Sequence, residues 1–265
     1  MSVKVYLVSR PQFDVDSLLS FLRDQGTIWR RGAGAPSAEE IVEVAGRICY
    51  MSFGQNQSPR TNAEYIQRLI LMGHESVLEH VNWTFLITGV SRAFTHQLVR
   101  HRVGFAFSQL SQQYHDETDA EFVEPSLLRK APGALAAWQR TVVVAKQAYR
   151  DILKSLQALE TQSGVEFQKK ELSRAIRSAA RSLLPNATET KILITANARA
   201  LRHLFKVRGS IPGDEEMRQA AAELLRHLQV EAPSIFFDFK IGTLADGSPI
   251  VTWQGAGETQ NEPEE

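Results

Sequence analysis

The sequence predicts an α+β fold, an antiparallel or mixed central sheet flanked by long helices in a single domain. Two-residue and 3.6-residue hydrophobic periods interleave along the chain without an internal repeat. Residues 134–161 carry the longest helical stripe, through Leu135, Trp138, Val142, Ala145, Tyr149, Ile152 and Leu156. No Pro/Ser-rich linker divides the chain before its C-terminal tail.

The first element is a strand over 3–8, where V-K-V-Y-L-V alternates. A helix follows over about 38–49, capped by Ser37, with Ile41, Val42, Ala45 and Ile48 at helical spacing. Ser52–Arg60 reads as a polar loop. A second helix starts at Thr61 and is stopped by Gly73, with Ile66, Leu69, Ile70 and Leu71 on one side. Residues 81–89 read as a strand. The short helix from Arg92 to Val99 then delivers Arg100–Arg102 near its C-terminal end, where the dipole favours cations. After the long stripe, Gly164 separates a helix running to about Leu183, with Pro185 ending it. A strand over 189–195 and helices over 196–207 and 214–229 complete the series. Residues 244–265 are expected to be a disordered tail behind a catalytic domain of residues 1–243, because Gly, Asp, Glu, Pro and Gln dominate after Trp253.

Composition narrows the function. With 265 residues, 43% of them hydrophobic, the chain can bury a large core. Its 30 basic residues balance 30 acidic ones, which argues against non-specific nucleic-acid binding and makes any phosphate site local. One cysteine, Cys49, cannot form an intramolecular disulfide, and at the apolar end of a helix it reads as buried and inert. No apolar run approaches the roughly 20 residues that span a bilayer, and the N-terminus lacks a signal peptide's basic and apolar regions. A cytoplasmic protein is expected.

Chemistry concentrates in residues 96–115. Arg100, His101 and Arg102 stand in a row, followed by Ser108, Gln109, Ser111, Gln112, Gln113 and Tyr114. Arginine carries five donors and a permanent charge, so this run builds a core poorly and suits an anionic, planar ligand. H-E-S-V-L-E-H, residues 74–80, superficially suggests zinc. Its histidines are six apart, about 240° around a helix, so no metal is expected. A-R-S-L-L-P, residues 180–185, places Arg181 in a last helical turn. Residues 197–208 crowd Asn197, Arg199, Arg202, His203, Lys206 and Arg208 into about three turns, which alone would read equally well as a solvated face.

Together these four segments resemble the flavin-dependent thymidylate synthases. R-H-R at 100–102 with S-Q-L-S-Q-Q-Y at 108–114, H-E-x-x-x-E-H at 74–80, A-R-x-x-L-P at 180–185 and N-A-R-x-L at 197–201 with Arg208 agree in order and spacing over about residues 40–240. V-A-G-R-I-C-Y at 44–50 is similar to the family's N-terminal helix end. The resemblance implies conversion of dUMP to dTMP, with carbon from methylenetetrahydrofolate and electrons from NADPH through FAD. It also implies a homotetramer with active sites built from more than one chain. For dUMP it implies Gln97, Arg100, Gln109, Ser111, Gln112, Arg181 and Arg208. For FAD it implies His74, Ser76, Glu79, Arg100, His101, Arg102, Asn197, Arg199 and His203. Arg208, Ser111 and Arg100 are the implied catalytic residues, with Ser111 binding substrate rather than attacking it, because the nearest base, His115, has no evident orienting carboxylate. Without a G-x-G-x-x-G fingerprint, NADPH is expected to bind transiently near the flavin rather than on a Rossmann site.

Two departures from the family pattern stand out. The spacing between Arg102 and Ser111 is one residue longer than usual, so Val103–Phe107 must bulge, most simply at Gly104. Gln113 stands where the family commonly has an arginine beside the substrate phosphate. Two other readings stay open. One is an FAD- and nucleotide-binding flavoprotein without folate chemistry; the other is a non-enzymatic nucleotide- or RNA-binding protein built on the basic helix.

Overall fold

Strict alternation builds the central sheet in this computed structural model, which describes residues 2–160 and 166–255. Strand β1 covers Lys4–Ser9 and β2 covers Asn82–Ser91, which buries Trp83, Phe85 and Ile87 on one face and leaves Thr84 and Leu86 half-buried on the other. β3 is Phe105–Gln109, and β4, Glu189–Asn197, buries Ile192, Ile194 and Ala196 in the same rhythm. The four strands form one antiparallel sheet in the order β1-β2-β4-β3.

Eight helices are described: α1 Val15–Asp24, α2 Ser37–Ile48, α3 Asn62–Leu71, α4 Arg92–Leu98, α5 Pro132–Glu160, α6 Glu166–Ala180, α7 Ala198–Arg208 and α8 Glu215–Glu231. Their ends follow local chemistry. Thr61 and Glu64 close a reciprocal capping box on α3, and Gly73, at φ +76, lets the chain leave it. Gly164, expected to part α5 from α6, lies outside the described residues. None of the described helices is long and apolar enough to cross a membrane.

The chain sorts into two compact units. One comprises the residues up to Val3, Ile87–Arg100 and Ser108–Ile192; its core joins Tyr149 and Leu153 of α5 to Ile176 and Ala180 of α6. The other comprises Lys4–Leu86, His101–Phe107 and the chain from Leu193. Strands β2, β3 and β4 each supply residues to both units, so no linker marks the division. In the second unit Gly46 of α2 lets α3 approach closely, since a Cβ there would meet Leu69 and Tyr65 at 2.9 Å. Arg47 is fully buried, with Nε donating to Glu43 Oε1 at 2.6 Å and its guanidinium 4.4 Å from the Tyr65 ring centroid. The V-A-G-R segment therefore serves packing.

Four expectations are corrected. Helix α1, capped by Asp14, occupies a stretch given no element from sequence. Residues 105–107, expected in a bulging loop, begin β3, and Gly104 just before it has φ +73. Cys49 is exposed rather than buried. The expected tail from residue 244 contains the strand β6, Pro249–Trp253, paired antiparallel with β5, Phe239–Thr243, with Ile241 opposite Val251. Polar composition around Asp246 and Gly247 reflects a turn, with Gly247 at φ +84 and Ser248 N–H donating to Asp246 Oδ1. Residues 256–265 of that expected tail lie outside the described residues.

Candidate functional site

In the first unit the residues implied for the nucleotide fall into three groups. Gln97 and Arg100 are exposed at the C-terminal end of α4. Gln109 is half-buried, and its amide donates to Thr95 Oγ1 at 2.9 Å and Thr190 Oγ1 at 3.3 Å. Both amide protons are thus used within the protein, and only its carbonyl oxygen remains for a ligand.

Ser111 and Gln112 form the second group, just after β3. Ser111 Oγ accepts the Gln113 N–H at 3.3 Å, and His115 N–H donates to the Ser111 carbonyl. Gln112 is buried, yet its Nε2 has no hydrogen-bond partner. An unpaired buried amide is costly, of order 1–3 kcal/mol, so it marks a position where an acceptor belongs. Gln113 donates from Nε2 to Ser178 Oγ at 3.1 Å and accepts from Arg174 Nε at 3.0 Å. Arg174 also lies over the Tyr114 ring, 5.6 Å from its centroid.

Arg181 forms the third group, in a 3-10 turn following α6, Arg181–Leu183. It acts electrostatically on Arg92, whose pKa is lowered first by burial, against the pull of Glu117, and further by Arg181. Burial and a second cation both work against the charge on Arg92, and Glu117 offsets part of that. Sequence reading missed Arg92, Arg174 and Ser178. Arg174 could have been found as the residue two turns before Arg181 on the same helix face. Arg92 could have been found as a cation in the first turn of a helix, the end that repels it. A carboxylate near His115 also escaped notice: Glu117 Oε1 lies 3.8 Å from His115 Nδ1. Burial pushes the Glu117 carboxyl up, partly opposed by His115 and Arg92.

The second unit holds most of the residues implied for the flavin. A 3-10 turn, Glu75–His80, is anchored by buried Val77 and Leu78 and leaves His74, Ser76 and Glu79 exposed. Asn197 caps α7, its Oδ1 accepting the Ala200 N–H at 2.8 Å. Arg199 and His203 are exposed on α7, and Arg199 Nη1 pairs with Glu79. Arg102 is exposed as well. Arg202 is buried instead, with both Nη atoms on the Asp238 carboxylate at 2.6 and 2.7 Å, which is a structural role.

Arg208, implied for dUMP, belongs to this unit, where its Nε donates to His101 Nε2 at 3.3 Å. The His101 ring lies 6.1 Å from both the Phe105 and the His203 rings, and Phe105 stacks on Phe107. Burial lowers the His101 pKa, and Arg208 and His203 lower it further. Among the described residues, no three His, Cys, Asp or Glu side chains gather as a metal-holding group.

Comparison with known proteins identifies the family. A family described as thymidylate synthase complementing protein matches residues 33–234. The chain belongs to that family. The matched segment runs from just before α2 to just after α8, includes every residue implied for dUMP or FAD, and leaves the β5–β6 hairpin outside. Relatives named flavin-dependent thymidylate synthase include one from Mycolicibacterium gilvum, 39% identical over 94% of this chain and 95% of its own length. Another, from Corynebacterium glutamicum, is 43% identical over 81% of this chain and 85% of its own. A third, from Mycobacterium tuberculosis, is 41% identical over 88% and 91%. Thymidylate synthase complementing proteins thus resemble this chain well beyond its four short motifs.

Proposed function

We propose that the protein is an FAD-dependent thymidylate synthase that methylates dUMP to dTMP in the cytoplasm. Methylenetetrahydrofolate donates the carbon and NADPH the electrons. The observation that carries this reading is the donor cluster of the first unit. Half-buried Arg92 stands near Arg181 with Glu117 as its carboxylate neighbour, Gln112 holds an unpaired buried amide, and Ser111 and Arg174 flank Gln113. A nucleotide monophosphate, with a dianionic phosphate and a ring bearing carbonyl oxygens, matches those donors.

FAD fits the second unit by the chemistry of its donor set. Arg102, Arg199, His74, Ser76 and His203 are exposed there, suited to a pyrophosphate and to polar ring edges. Bound FAD would supply the hydride that completes the methyl group. Asn197 and Glu79 contribute by holding the cap of α7 and by fixing Arg199. Arg100, at the end of α4, can serve either ligand. Active sites would be assembled from more than one chain of a homotetramer.

In this mechanism the protein's task is to raise electron density at uracil C5, a weak nucleophile. Arg208 stabilises negative charge developing on the ring oxygens. Ser111 orients the nucleotide. Its Oγ accepts the Gln113 N–H, and no base hydrogen-bonds to it among the described residues, whereas a serine nucleophile needs such a base.

The test begins with the protein loaded with FAD, desalted and titrated with dUMP. A saturable shift of the flavin spectrum, followed by dTMP formation with methylenetetrahydrofolate and NADPH, supports the proposal. Retained flavin without a shift favours the flavoprotein lacking folate chemistry, and no flavin retention rejects both.

A further inference from the structure

We infer that His101 is a positioning residue for Arg208: its neutral imidazole, accepting at Nε2, fixes the guanidinium that faces the pyrimidine. The inference rests on the thymidylate reading for the role of Arg208, while the contact itself stands on geometry. Arg208 Nε can only donate, so at 3.3 Å from His101 Nε2 it requires a lone pair there. An imidazolium has two donors and no acceptor, so His101 is neutral and any ring proton sits on Nδ1.

The surroundings keep it so. His101 is half-buried beside Phe105, and the titratable or charged groups that act on it are Arg208 and His203, both on α7. Neither favours a positive ring. Among the described residues no carboxylate ion-pairs or hydrogen-bonds with it.

Two consequences follow. Arg208 ends α7, where a cation is favoured by the dipole but its long side chain is otherwise free to swing; the bond to His101 removes one of those freedoms. Second, with Nε2 engaged, His101 can offer a flavin only the Nδ1 proton, so toward that group it is a donor. The sign of the pH effect is also set. Protonation of His101 deletes the acceptor and places a second cation beside Arg208, so positioning is lost as pH falls through the lowered imidazole pKa and is complete above it.

The test compares His101→Leu, which has no acceptor, with His101→Gln, which retains an acceptor oxygen and does not titrate, both loaded with FAD. His101→Leu is expected to lower kcat by about a hundredfold, and His101→Gln to recover at least about tenfold of that. In an Arg208→Ala background, His101→Leu should cost no more than about twofold further. The ratio of wild-type to His101→Gln kcat should fall as pH drops through the imidazole range. Equal losses in the Leu and Gln variants, losses that add in the Arg208→Ala background, or a flat ratio would overturn the inference.

An independent readout uses imidazole nitrogen NMR of the wild-type protein, with His101 assigned by its disappearance in His101→Gln. An unprotonated Nε2 at neutral pH, shifting in Arg208→Ala, is the expected result; a protonated Nε2 overturns the inference whatever the activity. If wild-type protein forms no dTMP, the thymidylate reading fails, and the NMR result still decides the pair.

Discussion

Gln113 holds Arg174: the guanidinium Nε donates to Gln113 Oε1 at 3.0 Å, while Gln113 in turn donates to Ser178 and to Ser111 Oγ. The neutral side chain of Gln113 therefore steadies an arginine from α6. Its two Nη groups have no partner among the described residues and remain available to an anion.

This arrangement makes position 113 tolerant. Gln113→Arg is expected to keep turnover within about tenfold of the parent, since it restores a charge-assisted donor of roughly 1.5–3 kcal/mol while releasing Arg174. Arg174→Ala should instead raise KM for dUMP by about ten- to a hundredfold with a smaller change in kcat. Steady-state kinetics check both, and complete loss of turnover in Gln113→Arg would show that the slot is rebuilt around glutamine.

Gly104→Ala should destabilise the protein. The residue has φ +73, and a Cβ would lie 2.6 Å from Asn197 Nδ2 and 2.8 Å from Ala200 Cβ. Left-handed strain alone costs about 1–3 kcal/mol, and the contact with the cap of α7 adds to it. A lowered thermal midpoint checks this; an unchanged midpoint would mean that α7 yields at no cost.

Arg202 and Asp238 form a buried, bidentate pair that Trp253 Nε1 joins at 2.8 Å, tying α7 to the β5–β6 hairpin. Arg202→Met removes one partner and leaves the carboxylate buried, at a cost of about 3–5 kcal/mol, whereas replacing both members should cost less. Urea unfolding of the two single variants and the double variant measures the difference.

Glu39 supplies a pH signature. Burial raises its carboxyl pKa, although Ser234 N–H donates to Oε1 at 2.6 Å. A raised folded pKa means that the folded state binds this proton more tightly than the unfolded chain. The stabilisation is full below the unfolded pKa and is lost as pH rises through the folded one. The stability of Glu39→Gln relative to wild type should therefore increase from pH 4 toward pH 7. Denaturant midpoints across that range test the slope, and a parallel pair of curves would refute it.

Much of the architecture was legible in sequence because its signals are local. Thr61 with Glu64, Gly73, the alternation of Trp83, Phe85 and Ile87, and the stripe from Leu135 to Leu156 each act within a few residues, where a helix or strand period decides which face is buried. The four polar motifs were equally plain, because residues such as Arg100, Ser111 and Arg208 are poor core material in any fold. What each polar side chain does was decided only by the tertiary structure. Gln109 spends its donors on Thr95 and Thr190, Arg202 turns inward to Asp238, and Arg208 meets His101 across 107 positions of sequence. The hairpin that overturned the expected tail depends on the same cause, since Val251 is buried and donates its N–H to Gly209, far back along the chain. Periodicity reports the face a residue occupies, whereas hydrogen-bond satisfaction depends on which distant groups the fold brings within about 3 Å.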